Sequence, residues 1–505
     1  MTVNVNETEA KYDAPSGVAV PQLDGLPQVA STSEREVRLR ADYYDTGDLR
    51  LLHAGITLRR RGGGDDAGWH LKLPLGGKTR REIRLPPGRA GAPVPPELTS
   101  LVQVHTRGEP LLPVARITTK RQLHILLDQA GESLAEIAAD DVSAQTMGDT
   151  TTVSQWHKVE VELTGGGRRL LKAADKVLRR EGLRPAGHAA KLERALDQRP
   201  AGPASRPRLT SSTAAGQVVL AYLRTQAETL KSLDPMVRAD EPDSVHQMRV
   251  ATRRLRSTLR SFGKIVRRRD TEHLATELKW LGTVLGAARD AEVLTAHLRE
   301  GLRQTPVEQV IGPVQARVQG HFAPVHAAAR ASILDAFGSP RYFSLLDELD
   351  GLLAEPPLTA LADRPASDVL PEVARHTLRQ VSRRMRRAGH PPAGQPRDVA
   401  LHQARKSAKR ARYAGEAMGP AIGKKARRFA RQMKKVQSVL GEHQDAVIAR
   451  AVERELGISA HLAGENAFSY GLLYERDVWA GERLRAQAQR TWQRASRARY
   501  RRWMH

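Results

Sequence analysis

The sequence predicts a multidomain α+β protein, with an N-terminal antiparallel β-barrel followed by an all-α region of two duplicated helical bundles. Before about residue 197, charged side chains recur at every second position, which is the period of a β-strand. From residue 209 onward, apolar residues recur at spacings of three and four, the period of a helix. Within that second region one basic pattern occurs twice, and a repeat of this length indicates an internal duplication.

Two predicted strands near the ends of the first region carry charges on one face. They are residues 4–12, with Glu7, Glu9 and Lys11, and residues 157–163, with Lys158, Glu160 and Glu162. Two such strands facing each other would supply about four carboxylates. Carboxylates are the hard oxygen ligands that Mg²⁺ or Mn²⁺ prefers, so these strands predict a divalent metal site.

The predicted strands between these two also carry charged residues. These are Arg59, Arg61, Lys72, Arg81, Glu82, Arg116, Lys120, Arg121, Asp140 and Asp141. For any single strand, a sheet with one solvated face is the simpler interpretation. For the whole set, we favour a closed barrel whose interior is polar, because barrel strands alternate between inside and outside.

A short segment rich in Pro, Ala and Gly separates the two regions. We predict a first domain over residues 1–198, a linker over 199–208 and a second domain over 209–505, with the boundary near Ala204.

The duplicated basic pattern aligns His246 with His402, 156 positions later. Both copies place four residues at i, i+3, i+7 and i+10, along one side of a helix. The stripes are His246, Arg249, Arg253 and Arg256 in the first copy, and His402, Arg405, Lys409 and Arg412 in the second. Like charges at these spacings repel, so a polyanion lying against the helix is expected to relieve the repulsion.

Each copy continues into a second shared segment. Leu285-Gly286 is followed by Asp290, and Leu440-Gly441 by Asp445, which we expect to orient Arg or His side chains. Neither His246 nor His402 has a His or carboxylate at i+3 or i+4, so we do not expect zinc there.

Composition narrows the class of partner. The chain has 81 Lys and Arg against 56 Asp and Glu, a formal charge of +25, which predicts an acidic partner. Aromatic residues make up 4% of the chain and none lies within the first stripe, so phosphates without bases fit better than nucleic acid. The stripe helices lack an opposite face of Trp, Phe and Leu, which argues against a membrane surface.

The chain has no cysteine, which excludes disulfides, thiolate nucleophiles and Cys-ligated zinc. We find no secretory signal and no apolar run of about 18 residues, and therefore expect a cytoplasmic protein.

Residues 1–198 resemble a CYTH domain, of the triphosphate tunnel metalloenzyme family. The residues that carry the resemblance are Glu7, Glu9 and Lys11 in an ExExK pattern, Tyr43-Tyr44-Asp45-Thr46, Leu58-Arg59-Arg60-Arg61, Lys72, Arg81-Glu82, Arg116, Arg121, Glu136, Asp140-Asp141, Glu160, Glu162 and Lys191. The resemblance implies an eight-stranded tunnel that hydrolyses a triphosphate-class substrate with Mg²⁺ or Mn²⁺.

The resemblance also implies roles for individual residues. The metal ligands would be Glu7, Glu9, Asp140, Glu160 and Glu162. The phosphate-binding residues would be Lys11, Arg59, Arg61, Lys72, Arg116, Arg121 and Lys191. Lys11 is also our candidate catalytic base, on the condition that burial among cations lowers its pKa.

Residues 209–505 resemble a CHAD domain, the conserved-histidine α-helical family, on the two stripes and the two Leu-Gly segments. The resemblance implies a pseudo-twofold pair of bundles whose basic groove binds inorganic polyphosphate through the stripe residues. We therefore expect an inorganic triphosphatase that also binds polyphosphate and associates with polyphosphate granules. The alternatives are a non-catalytic protein that binds polyphosphate and is localised by it, and a nucleic-acid binder.

Overall fold

The protein is described by a computed structural model that divides into two compact units, Met1–Ser205 and Arg206–His505. The structure describes residues 4–6, 9–15, 21, 23, 25–76, 79–89, 91–147, 151–188, 190–197, 208–390 and 394–504. Of the predicted linker, all but Arg208 lies outside these residues. Among the helices in the described part of the chain, none combines the length and apolar character needed to cross a membrane.

The first unit is built on one antiparallel sheet of ten strands. These are β1 (Asn4–Asn6), β2 (Glu9–Ala14), β3 (Ser31–Asp45), β4 (Thr57–Gly62), β5 (Gly68–Gly76), β6 (Thr79–Leu85), β7 (Leu112–Leu127), β8 (Ser133–Thr146), β9 (Val153–Leu163) and β10 (Arg184–Pro185). They follow the order β1-β6-β5-β4-β3-β7-β8-β9-β2-β10. The prediction of an antiparallel sheet domain followed by a helical domain is thus confirmed.

The expectations of a closed barrel and of eight strands need correction. Over the described residues, β1 and β10 are the two edges of an open sheet. Asn6 pairs with Arg81 on β6, whereas Glu9 pairs with Glu162 on β9. Asn6 and Glu9 are three residues apart, so their Cα atoms lie within about 11 Å of each other. The sheet therefore curls until its two halves approach, although its ladder of hydrogen bonds stays open.

Helices cover one face of this sheet with apolar contacts. They are α1 (Arg50–His53), α2 (Pro96–Thr106) and α3 (Arg168–Arg180), whereas α4 (Lys191–Ala195) packs Leu192 against residues of the other face, such as Ile117 and Val142. Val161 on β9 packs in one buried cluster with Leu178 of α3, and Leu71 on β5 packs in another with Leu98 of α2. Because side chains alternate along a strand, the residues between these apolar positions point to the opposite face. We call that opposite face the charged face.

The buried carboxylate of Asp45 fixes the turn between β3 and β4. It accepts hydrogen bonds from the backbone N–H groups of Thr46 at 2.7 Å and of Leu51 and Leu52 at 2.9 Å. These bonds satisfy free donors at the start of α1, which is the usual role of a capping side chain. Asp45 therefore has a structural role, and it sets the point at which β4 begins.

The second unit is helical throughout the residues that the structure describes. Its helices are α5 (Ala215–Arg238), α6 (Ser244–Ser261), α7 (Glu272–Gln304), α8 (Val314–Phe337), α9 (Pro340–Ala354), α10 (Ala366–Ala388), α11 (Gln395–Ile422), α12 (Lys424–Leu462) and α13 (Phe468–Ala495). The two stripes lie on α6 and α11, and the two Leu-Gly segments on α7 and α12. The equivalent helices of the two copies pack against each other, α6 on α11 and α7 on α12.

The sequence of α6 shows why its basic stripe stays on the surface of the bundle. Met248, Leu255 and Leu259 are at most 2% exposed and form the core side of the helix. The charged residues between them fall on the other side because the helical period is 3.6. The same alternation places the stripe of α11 opposite buried Ala404, Ala408 and Ala411, and these small residues allow close helix packing.

Candidate functional sites

Three acidic residues stand side by side on the charged face of the sheet. Glu9 on β2 is the direct cross-strand neighbour of Glu162 on β9, and Glu162 is in turn the neighbour of Glu136 on β8. We call these three residues the acidic row. The pairing of the two acidic strands predicted from the sequence is confirmed by this register. Directly opposed like charges destabilise a sheet unless something neutralises them, so the row is suited to a cation.

Cations occupy the positions next to the acidic row. Lys11 Nζ lies 2.5 Å from a Glu9 oxygen, and Lys11 is also the cross-strand neighbour of Glu160. Lys158 Nζ lies 3.0 Å from Glu160 Oε1. Burial acts to raise the pKa of Glu160, but the surrounding lysines and Arg121 outweigh it and hold that pKa well below the usual range. Glu160 is therefore ionised and closely surrounded by positive charge.

Asp140 organises the cations of the next row. It is buried, and Arg121 donates to both of its oxygens, at 2.6 and 2.8 Å. Lys191, at the start of α4, donates to one of the same oxygens at 2.5 Å. The oxygens of Asp140 are thus already occupied by two cations. In this structure Asp140 positions Arg121 and Lys191, and its role as a metal ligand stays a prediction.

The other half of the charged face is mainly basic. Arg59 Nη1 lies 3.3 Å from the Tyr43 hydroxyl oxygen, and Arg61 forms an ion pair with Asp66. Lys72 lies 3.7 Å from the buried carboxylate of Glu82. Burial and the neighbouring Arg59 guanidinium lower the pKa of Arg61, because like charges crowd together here. Such crowding favours an anion beside these residues.

Most of the predicted phosphate-binding residues share this face, but not all of them do. Arg116 and Arg121 are separated by an odd number of positions on β7 and therefore point to opposite faces. Arg116 instead donates to Asp42 at 2.6 Å on the helix-covered face. The prediction that Arg116 contributes to the site is corrected for this reason. Glu7 lies outside the described residues.

Two residues of the site were missing from the predicted set. Glu136 completes the acidic row, and Lys158 lies beside Glu160. The signal for Lys158 was its even spacing from Glu160 and Glu162. Glu136 was among the residues that carry the CYTH resemblance, but its place beside Glu162 follows from the pairing of β8 with β9, which local sequence does not give.

In the helical unit, the two stripes converge where α6 packs on α11. Lys409 is affected electrostatically by Arg249 and Arg253 of the first copy and by Arg405 of its own. Burial and these three guanidiniums lower the pKa of Lys409 to about 7. We call His246, Arg249, Arg253, His402, Arg405 and Lys409 the basic groove.

The glycines of the two Leu-Gly segments explain how the groove arginines are held. A Cβ atom at Gly286 would lie 3.4 Å from Arg249 Nη2, and one at Gly441 would lie 3.4 Å from Arg405 Nη2. Each guanidinium thus rests on the backbone of the neighbouring helix, in the same way in both copies. Arg249 also donates to Asp290 at 2.9 Å, which agrees with the orienting role predicted for that aspartate.

The two histidines of the stripes differ in their partners. His402 Nδ1 lies 2.7 Å from Gln444 Oε1, whereas His246 Nδ1 is buried and has no hydrogen-bond partner among the described residues. The residue of the first copy equivalent to Gln444 is Arg289. Its Nη1 donates a hydrogen bond to Glu292 Oε2 at 3.0 Å. Burial and the charge of Arg289 lower the pKa of His246. The duplication is therefore asymmetric at this position.

The flanks of the α6–α11 contact also differ. On one side Arg412 donates to Glu416 at 2.6 Å, and Arg254 lies 3.1 Å from the same carboxylate. On the other side the equivalent of Glu416 is Arg260, so Arg256 and Arg410 meet a third cation there. Arg412 is thus already neutralised, and Arg256 belongs to a flank rather than to the groove. That Arg256 and Arg412 contact polyphosphate stays a prediction.

Family models match both parts of the chain. A model of the CYTH domain matches residues 6–192 and a model of the CHAD domain matches residues 221–453. The uncharacterized protein Rv2226 of Mycobacterium tuberculosis is 36% identical over 496 residues, which cover 95% of this chain and 94% of that protein. A thiamine-triphosphatase of Macaca fascicularis is 45% identical over 49 residues, 10% of this chain and 20% of that enzyme.

One comparison with solved structures concerns a CHAD domain. The crystal structure of the CHAD domain from the plant Ricinus communis aligns with 26% identity and a TM-score of 0.42, covering 60% of this chain and 95% of that one.

Proposed function

Because the chain belongs to the proteins that join a CYTH domain to a CHAD domain, we propose that its first unit is a metal-dependent inorganic triphosphatase and that its second unit binds inorganic polyphosphate. The observation that carries the first half is the acidic row beside a set of cations on one face of the sheet. A face that only bound an anion would have no use for three adjacent carboxylates.

The donor set of the acidic row fits a divalent ion. Glu9, Glu162 and Glu136 would hold Mg²⁺ or Mn²⁺, since both ions prefer carboxylate oxygens. When bound, such an ion neutralises phosphate charge and lowers the pKa of a water molecule. The protein itself would bind and orient the substrate, and Arg121, Lys191 and Arg59 are placed to contact its phosphate oxygens.

The geometry favours a phosphate-binding role for Lys11. Its ammonium lies 2.5 Å from Glu9, and an ammonium paired with a carboxylate has no lone pair with which to accept a proton. In this ammonium form Lys11 would bind a phosphate oxygen, and it would act as the general base only where it loses that proton. Arg61 and Lys72, on the opposite half of the charged face, would contact the far end of a triphosphate.

The polyphosphate half of the proposal is supported by the basic groove. Its cations are drawn together from two helices, and the pKa of Lys409 is already lowered by their mutual repulsion. A chain of phosphates relieves that repulsion without requiring aromatic platforms, which a nucleic-acid binder would use.

The test is phosphate release by the purified full-length protein from inorganic triphosphate, ATP and long-chain polyphosphate, with Mg²⁺, Mn²⁺ or EDTA. The variant Glu9→Gln/Glu162→Gln removes two members of the acidic row. We expect metal-dependent release from triphosphate that falls by at least about 1,000-fold in this variant, because lost charge stabilisation of this kind is costly in phosphoryl transfer.

The matched control is Glu34→Gln/Glu36→Gln, which neutralises two exposed glutamates of the same sheet that point away from the charged face. It should keep the activity. Equal activity in all three proteins, or release that EDTA does not affect, would refute the triphosphatase proposal. The polyphosphate proposal is tested separately, by measuring the binding of polyphosphate to the protein.

A further inference from the structure

Three ligand-type side chains from three helices meet inside the second unit, away from the basic groove. His297 of α7, Glu453 of α12 and Asp477 of α13 each offer one donor atom, and the three atoms lie within 4.8 Å of one another. His297 Nε2 lies 2.6 Å from Asp477 Oδ2. We propose that this triad is a binding site for one divalent transition-metal ion of the Zn²⁺ class.

The burial of the two carboxyl groups is the first argument. Glu453 is 0% exposed and Asp477 is 2% exposed. Both oxygens of Glu453 are buried without a hydrogen-bond partner among the described residues. A buried carboxylate without a partner is costly, so the native protein needs something to satisfy it. A metal ion would bond to an oxygen directly and balance both charges.

The surroundings provide only part of the balancing charge. Arg476 Nη2 lies 3.7 Å from Asp477 Oδ1, and Arg450 contributes more weakly. A divalent ion bound by Glu453 and Asp477 would supply the remainder of that charge.

The donor chemistry selects the class of metal. An imidazole nitrogen together with two carboxylates suits Zn²⁺, and also Mn²⁺ or Fe²⁺, better than Mg²⁺ or Ca²⁺, which prefer oxygen alone. Tetrahedral Zn²⁺ with bonds of 2.0–2.1 Å separates its donor atoms by about 3.3 Å. His297 Nε2 and Asp477 Oδ2 lie closer than this, at 2.6 Å, and no two of the three donor atoms are more than 4.8 Å apart. His297 is partly exposed, with 27% of its side chain accessible, and gives the ion a way in.

The site belongs to only one copy of the duplication. At the 155-residue offset that aligns Gly286 with Gly441, the equivalent of Glu453 is Leu298, which is fully buried in an apolar cluster. The equivalent of His297 is Val452. A metal here would join α7 of the first copy to α12 and α13 of the second. We infer that it strengthens the contact between the copies, and does not take part in polyphosphate contacts.

The test uses full-length protein that has been stripped of metal with a chelator. The Glu9→Gln/Glu162→Gln background removes two of the three carboxylates of the acidic row, so that a transition-metal site elsewhere in the protein can be counted. We expect one equivalent of Zn²⁺ by calorimetry and by elemental mass spectrometry, a higher melting temperature with Zn²⁺, and visible absorption bands when Co²⁺ replaces it.

The variants Glu453→Gln and His297→Ala should each lower the Zn²⁺ affinity at least about tenfold and remove the Co²⁺ bands. Glu455→Gln, an exposed glutamate two residues further along α12, is the matched control and should change neither. Circular dichroism checks that each variant folds, and Asp477→Asn replaces any variant that does not.

Two results would overturn the proposal. One is a background protein that takes up no equivalent of Zn²⁺ and shows no Co²⁺ band, a readout that needs no triad variant to fold. The other is an equivalent of Zn²⁺ that Glu453→Gln retains at full affinity. Either result would leave the triad with a structural role alone.

Discussion

The two charged surfaces of this protein use similar cations in opposite ways. On the sheet, Arg121 and Lys191 are each bonded to Asp140, so positive charge is matched by buried negative charge. In the basic groove, Lys409 is surrounded by Arg249, Arg253 and Arg405, and burial together with these cations lowers its pKa. The sheet is organised before a ligand arrives, whereas the groove remains under repulsion until a ligand binds.

This difference indicates what each surface is suited to do. A preorganised set of cations and carboxylates holds its geometry and can orient a substrate and a metal for reaction. A cluster of like charges gains most from any polyanion, whatever its detailed shape, and so suits binding of a long homopolymer. The predictions below test this contrast, in order of decreasing effect.

Removal of one organising cation from the sheet should destabilise the first unit. Arg121→Leu leaves the buried Asp140 with Lys191 alone, and breaking a buried ion pair costs about 3 kcal/mol or more. We expect the thermal transition of the first unit to fall by about 6–12 °C in calorimetry. Arg116→Leu removes a comparable but largely solvated pair with Asp42, worth about 0–1 kcal/mol. Equal shifts in the two variants would contradict the assigned role of Arg121.

Removal of cations from the groove should instead weaken binding and leave the fold intact. The variant Arg249→Gln/Arg253→Gln/Arg405→Gln/Lys409→Gln should bind polyphosphate at least about 100-fold more weakly, since each phosphate contact contributes through charge and counterion release. The dependence of log K on log salt should become shallower by about three to four units. Calorimetric titration at several salt concentrations measures both.

The control for this variant removes the same total charge from exposed positions. These positions are Arg454, Arg483, Arg490 and Arg494, each changed to Gln. An equal loss of affinity in this control would mean that net charge, and not the groove, binds the polyphosphate.

Binding of polyphosphate should also depend on pH through Lys409. With a pKa of about 7 in the free protein, Lys409 loses its proton as the pH rises through 7, and a bound polyanion favours the protonated form. Affinity is therefore highest at pH 6 and falls by at most about tenfold for each pH unit above 7. Lys409→Arg, which stays charged, should remove this dependence between pH 7 and 8 when binding is measured at constant ionic strength. A pH profile unchanged by the substitution would show that another group is responsible.

The smallest effect is expected where the two flanks differ. Arg260→Glu gives the cationic flank a carboxylate beside Arg410, at the position where the other flank has Glu416. Because Arg260 is exposed, we expect a gain in stability of only about 0.3–1 kcal/mol, together with a few-fold loss of polyphosphate affinity. Denaturant unfolding and titration measure the two changes. A loss of stability would show that the flank cations do not repel each other.

Much of this arrangement could be predicted from local sequence. The even spacing of Glu160 and Glu162 placed them on one face, and the repeated stripe gave the helix faces of the groove. The same rule, applied fully, would have removed Arg116, because it is an odd number of positions from Arg121. In the same way, the spacing of a helix would have shown that Glu416 lies at i+4 from Arg412 and is placed to pair with it.

Other features depend on contacts that local sequence does not contain. Asp140 meets Arg121 through strand register and Lys191 through the position of a short helix. Glu136 joins the acidic row only because β8 pairs with β9. The triad of His297, Glu453 and Asp477 comes from three separate helices, and no spacing along the chain connects its members.

The order of strands in the sheet has a consequence for synthesis of the chain. The strand β2 leaves the ribosome well before its partner β9, which ends at Leu163. At about 5–20 residues per second, β2 waits about 8–30 seconds for its partner, with its hydrogen-bonding edge exposed. Glu9 meets Glu162 only in this late pairing of distant segments. A nascent chain that stops before Glu162 therefore cannot assemble the acidic row.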